Sequence, residues 1–114
     1  MVRHENDIEA VAVTMEGAQN VTKQVLVGPE DGYEGFMRMF TITQNGNTLY
    51  HQHDWYHLNY VVEGEGVVTI DETDYPLSKG SVAYIPGGLK HGFRNTGEGA
   101  LRFLCLIPPE GSSR

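Results

Sequence analysis

The chain is short of most features that mark a disulfide scaffold, a nucleic-acid binder or a membrane protein. It has one cysteine, Cys105, in 114 residues, so no disulfide can form within it and no thiolate cluster can hold zinc. Lys and Arg number 8 against 15 Asp and Glu, a formal net charge of −7. Nucleic-acid binding rests on clustered basic side chains that neutralise phosphates, and the few bases here are scattered. No stretch approaches the roughly 18 to 20 consecutive apolar residues that a membrane helix takes, and the opening MVRHENDIEA lacks the apolar core of a secretory signal. No run of ten residues keeps a helical period. These absences lead to the expectation of a soluble, cytoplasmic protein with no nucleic acid and no membrane as partner. Its 114 residues suit a single domain.

What the chain does have is turn residues: 14 glycines and 5 prolines separate short runs rich in Val, Ile, Thr, Tyr and Phe, which is an all-β pattern. Strands are expected at Ala10–Met15, Lys23–Gly28, Glu34–Thr43, Leu49–His53, His57–Glu63, Gly66–Ile70, Thr73–Leu77, Ser81–Ile85, His91–Asn95 and Leu101–Ile107. Glu63-Gly64-Glu65-Gly66 and Asp71-Glu72 read as hairpin turns, and further breaks fall at 78–80, 86–88 and 95–99. This spacing is that of a sandwich, jelly roll or small barrel. Residues 1–20 carry the least pattern and are expected to form an extended arm able to pack on a partner subunit, and Glu110–Arg114 a loose tail.

The heptapeptide HQHDWYH, residues 51–57, holds three of the five histidines. His53 and His57 are four apart, as in the H-E-x-x-H of a zinc-protease helix, but position 54 is Asp and the flanks are strand-like. On an extended chain, alternate residues share a face, so His51 and His53 project together with Gln52 opposite. A tight connection at Asp54-Trp55-Tyr56 then lets His57 bring a third ring alongside, and the Pro86-Gly87-Gly88 turn delivers His91 at the start of a later strand.

Gly80, Pro86, Gly88, His91 and Asn95 match every fixed position of G-x5-P-x-G-x2-H-x3-N, and His51, His53 and Gly64 match most of G-x5-H-x-H-x3-4-E-x6-G. With these two motifs the chain resembles the cupins, and specifically small single-domain cupins. Gly46 lies one residue too close to His51, and His57 stands where the family usually has Glu. That second departure, together with the endings 92–95 and 103–108, resembles a subgroup that binds manganese through four histidines. The resemblance implies a double-stranded β-helix, or jelly-roll barrel, over about residues 24–109, a homodimer, and one divalent ion held by His51, His53, His57 and His91. It favours Mn(II), with Fe, Ni, Cu and Zn left open, since divalent affinities run against manganese.

Four neutral imidazoles leave a divalent ion its full charge, so it should favour anionic ligands and resist oxidation to the trivalent state. Six-coordination would leave two adjacent positions for a chelating substrate, or for substrate plus dioxygen. Further pocket residues are expected by parity. Asn59 shares the face of His57 and either meets substrate or is satisfied by backbone; Phe103 and Cys105 share an inward face of the last strand. Cys105 is either a small buried hydrophobe or an oxidisable thiol beside the metal. Arg38 and Phe40 share a face, with Arg38 either turned inward onto a substrate carboxylate or outward into solvent. The leading expectation is a dioxygenase or oxidase acting on a small phenolic or enolisable compound. The alternatives are a non-redox isomerase, decarboxylase or cyclase, and a non-catalytic metal-dependent binding protein. For unperturbed histidines titrating near pH 6.5, metal should be released by about pH 5.

Overall fold

A computed structural model describes residues 1–111. The expected tail therefore lies partly outside the described residues: Pro109–Gly111 form a single 3-10 turn, and 112–114 are not described. Nine strands make up the fold: β1 Val11–Ala12, β2 Gln19–Val27, β3 Phe36–Asn47, β4 His57–Glu63, β5 Gly66–Ile70, β6 Thr73–Leu77, β7 Val82–Ile85, β8 His91–Asn95 and β9 Leu101–Ile107. They pair antiparallel in the order β6-β5-β8-β3-β9-β4-β7, with β2 on the flank of β3 and β1 on β2. The sheet curls into a jelly-roll barrel.

Alternation along each strand decides which side chains fill it. On β9, Leu101, Phe103, Cys105 and Ile107 are buried while the residues between them are not; on β4, His57, Asn59 and Val61 are buried while Leu58 and Tyr60 are exposed. Inward residues from both halves of the barrel, among them Ile42, Ile85, Val61, Val68, Leu101 and Phe103, form one core. Each fully buried aliphatic or aromatic side chain there contributes about 1.5–3 kcal/mol.

Five expectations change. The strand expected at Ala10–Met15 is only Val11–Ala12, and the one expected from Lys23 begins at Gln19, whose partner is Asn47 at the far end of β3. Leu49–His53 does not form a strand: on the edge of β8 opposite β5 the register slips by one between Asn47↔Arg94 and the isolated His51↔His91 bridge, and past His51 the chain runs beyond the start of β8 onto the turn before it. The strand expected to end at Thr43 runs on to Asn47, where it meets Arg94 of β8. Glu63–Gly66 is not a hairpin either, since β4 pairs with β7 and β9 whereas β5 pairs with β6 and β8. The chain crosses there from one half of the barrel to the other. Gly64 has φ +90°, and a Cβ on it would collide with the Ala100 carbonyl. By contrast Asp71 and Glu72, both at positive φ, do close the β5–β6 hairpin.

The first twenty residues lie on their own barrel. β1 pairs with β2, Arg3 bridges Asp31 at 2.7 Å, Arg102 bridges Glu5 at 2.7 Å, and Gln24 donates to the Glu5 and Ile8 carbonyls. On the outside of the barrel, registered rows place Met37, Leu106, Leu58 and Tyr84 side by side, followed by Leu104, Tyr60 and Val82. Leu58, Tyr60, Val82 and Tyr84 of this block are exposed, and none of the seven is charged.

Gly64→Ala combines a positive φ with a backbone collision and is expected to destabilise the protein by about 2 kcal/mol or more. Urea unfolding of Gly64→Ala beside Gly99→Ala, whose added Cβ meets nothing within 4 Å, measures it.

Candidate metal centre

Residues 48–53 leave β3 and are tied down three times. The Thr48 amide donates to the Phe93 carbonyl at 2.8 Å, His51 and His91 exchange backbone hydrogen bonds at 3.0 and 2.8 Å, and the Gly88 amide donates to the His53 carbonyl at 2.8 Å. Gly87 packs so closely on the Asp54 carbonyl that a Cβ there would collide with it. The Pro86-Gly87-Gly88 turn thus holds the Asp54-Trp55 connection, and the two histidine-bearing segments position each other.

Four rings converge as a result. Ring centroids lie 5.1 Å apart for His51–His53, 5.3 Å for His51–His91, 4.7 Å for His53–His57 and 4.7 Å for His57–His91. Ligand atoms of His53, His57 and His91 all fall within 4.8 Å of one another, and the His51 ring borders two of these three. Trp55 stacks flat on His53, with centroids 4.2 Å apart and planes 7° from parallel.

Hydrogen bonds fix how the rings present their nitrogens. Nδ1 of His51, His53 and His91 lies 3.0, 3.1 and 3.0 Å from the carbonyl oxygens of Leu49, Trp55 and Leu89. A carbonyl only accepts, so each Nδ1 carries the proton and each Nε2 keeps a lone pair. The Nε2 of His91 is buried with no partner, and the Nε2 atoms of His53 and His57 are 2.9 Å apart. Imidazole nitrogens at right angles around an ion 2.0–2.1 Å away are about 3 Å apart, so the donor set fits a divalent cation. His57 differs at its far end, where Nδ1 lies 3.2 Å from Cys105 Sγ rather than from a carbonyl.

Burial favours the neutral form of three rings. It lowers His53 to about 4 and His57 to about 2, helped in both by the neighbouring His91, and it lowers His91 as well. Burial raises the Cys105 thiol, against the opposing pull of Arg38.

A cavity of about 90 Å³ opens beside the rings, lined by all four histidines and by Arg38, Phe40, Phe103 and Cys105. Arg38 is turned inward and 4% exposed, with Nη2 donating to Cys105 Sγ at 3.3 Å. Asn59 is buried on the inward face but does not line the cavity; its Nδ2 donates to the Leu104 carbonyl at 3.3 Å. Asn95 anchors a turn, donating to the Ile42 and Gly99 carbonyls. The sequence reading missed Lys23, Trp55 and Phe93 as lining residues, and Val13, Met15 and Ala18 of the arm. Phe93 could have been found by parity with His91. The arm residues carry no such signal.

A model of the Cupin_2 family, the cupin domain, matches residues 38–107. The chain belongs to the cupin family. The structure of the polyketide cyclase RemF from Streptomyces resistomycificus superposes with a TM-score of 0.88 at 31% identity, covering 96% of this chain and 80% of that one. A 1-methylthio-D-xylulose 5-phosphate methylsulfurylase from Rhodospirillum rubrum is 27% identical over 90% of this cupin and 67% of its own length. An uncharacterised protein of Methanocaldococcus jannaschii is 35% identical over 54% of this chain, which spans 50% of that relative's length.

Acid should act on the metal-free cupin in a defined window. The unfolded chain protonates its histidines near pH 6.5, whereas folded His53 and His57 resist until about 4 and about 2. Stability is therefore retained above pH 6.5 and falls as pH drops from there through 4. For the same reason metal release is expected below pH 5, lower than unperturbed histidines would give; thermal melts and chelator competition across pH 3–8 measure both. Cys105→Ala removes the acceptor facing His57 Nδ1 and is expected to weaken metal binding about 10- to 100-fold. Cys105→Ser should retain most of it, as read by competition with a fluorescent chelator.

Proposed function

We propose that this cupin is a metal-dependent enzyme holding one divalent ion through His51, His53, His57 and His91 and acting on a small oxygen-bearing molecule in the adjoining cavity. The observation that carries this is the convergence of four rings, three with Nδ1 committed to a carbonyl and a buried, unpartnered Nε2 on His91. When bound, the ion supplies Lewis acidity that no ligand charge reduces. Manganese is the proposed ion, from the histidine at position 57.

Around that centre, the protein's own groups have separable tasks. The Leu49, Trp55 and Leu89 carbonyls keep protons on Nδ1 and so hold each ring's orientation. Phe40 and Phe93 stack on Phe103, with centroids 5.5 and 4.2 Å from it, and form an apolar wall of the cavity.

Non-redox chemistry on an enolisable substrate, such as a cyclisation, isomerisation or decarboxylation, is the preferred reading. It is supported by the neutral ligand set, by an oxidisable thiol 3.2 Å from His57, and by likeness to a polyketide cyclase. The second reading is a dioxygenase or oxidase on a phenolic or enolisable compound. One observation favours it: among the described residues no Asp or Glu lines the cavity to serve as a general base. We also propose that a second copy of the chain covers the uncharged block of Met37, Leu58, Tyr60, Val82, Tyr84, Leu104 and Leu106. A contiguous apolar face is unusual on a monomer, and β7 ends the sheet beside it.

Elemental analysis of protein purified without added metal is expected to find close to one ion per chain. Turnover of a panel of β-diketones, 3-oxo acids and phenols should proceed equally with and without dioxygen. Strict oxygen dependence would select the second reading, and turnover by neither route would discard both. Val82→Glu combined with Tyr84→Lys should convert a dimer to a monomer in sedimentation; an unchanged mass would remove the proposed interface.

A further inference from the structure

The charge on the cavity wall is the reverse of the charge on the chain. Acidic residues outnumber basic ones 15 to 8 overall, yet among the described residues those lining the cavity include two cations, Lys23 and Arg38, and no carboxylate. Arg38 lies on the inward face of β3, directly opposite Cys105 of β9, and is 4% exposed. A guanidinium is costly to take out of water, and an outward position on the same strand would have avoided the cost. Its Cζ stands 5.0 Å from the centroid of Phe40, and its Nη2 reaches Cys105 Sγ, which in turn contacts His57 Nδ1. The cation and the histidine cluster therefore look into one small space, with the flat wall of Phe40 and Phe103 alongside.

We propose that the ligand of this cavity is a small carboxylate carrying a second oxygen a few bonds away, with Arg38 taking the carboxylate and the histidine cluster facing the second oxygen. The planar fork of a guanidinium matches two carboxylate oxygens in a way that an ammonium cannot. Lys23, at the same wall but less buried, adds positive potential that draws an anion inward. A cavity of about 90 Å³ suits a short-chain oxo acid better than a fused ring system. This assignment rests on the reading of the site as a small-molecule metal centre, and it specifies the substrate class for that site.

The test compares pyruvate, acetoacetate and levulinate, whose keto oxygen stands at increasing distance from the carboxylate, with their methyl esters. Binding is measured by calorimetry at pH 7.5 to zinc-loaded and to metal-free protein. At least one acid is expected to bind ten-fold or more tightly than its ester in both forms. Arg38→Gln should abolish that preference without changing zinc content, and Arg38→Lys should keep part of it. Equal binding of acid and ester by the metal-free wild-type protein overturns the proposal without recourse to any variant, as does a preference that survives Arg38→Gln. Failure to take up zinc would instead count against the metal-centre reading, and the acid-to-ester ratio of the metal-free protein would still decide the role of Arg38.

Discussion

The structure of the site depends on the two backbone hydrogen bonds that His51 and His91 exchange. They form an isolated bridge, with no regular strand around His51 to support it. Antiparallel partners opposite one another present their side chains to the same face, so this one contact brings together rings that are 40 positions apart. The ties from Thr48 to Phe93 and from Gly88 to His53 fix the approach on either side. Because the segment belongs to no strand, His53 can turn its Nδ1 to the Trp55 carbonyl two residues ahead, and His57 can begin β4 facing it. The irregularity is what lets three histidines in seven residues meet at one point.

The electrostatics follow from that placement. His53, His57 and His91 cannot easily take a further proton, since burial disfavours the charged form. The depressed values of His53 and His57 express this. A neutral imidazole is the form that binds a cation, so the burial that costs the apo protein stability in acid also keeps the site competent for metal well below neutral pH. A carboxylate at position 57 would have brought a compensating charge. With histidine there, an ion bound by the rings would keep its full charge, in a cavity whose ionised lining side chains, among the described residues, are Lys23 and Arg38.

Much of this was legible in the sequence because it is written in periods and turns. The alternation of His57, Asn59 and Val61 and of Phe103, Cys105 and Ile107 gave the inward faces, and the Pro86-Gly87-Gly88 turn placed His91 at a strand start. What could not be read were features set by the other half of the barrel. Leu49–His53 has the composition of a strand, but its partner β8 starts only at His91, so the residues after His51 meet a turn in place of a strand. Gly64 and Gly66 suggest a hairpin turn, but they serve a crossover squeezed against the Ala100 and Arg94 carbonyls. The arm contributes Val13, Met15 and Ala18 to the cavity, through a two-residue strand too short to leave a pattern. Asn59 fell on the right face, but the neighbouring Leu104 carbonyl took its amide and kept it out of the cavity wall.

Cys105 connects the two halves of the site. Its sulfur lies 3.2 Å from Nδ1 of His57 and 3.3 Å from Nη2 of the buried arginine. A thiol offers one weak donor and a weak, polarisable acceptor. It can therefore face an imidazole nitrogen, as donor or as acceptor, and a guanidinium together, where a carboxylate would pair with the arginine and neutralise it. A carbonyl could not take this place, because the strand directs its backbone along the sheet and its side chain inward. Arg38, Cys105 and His57 thus form a short contact chain from the cationic wall to the ring cluster. Its central group is small enough to leave the cavity open between them.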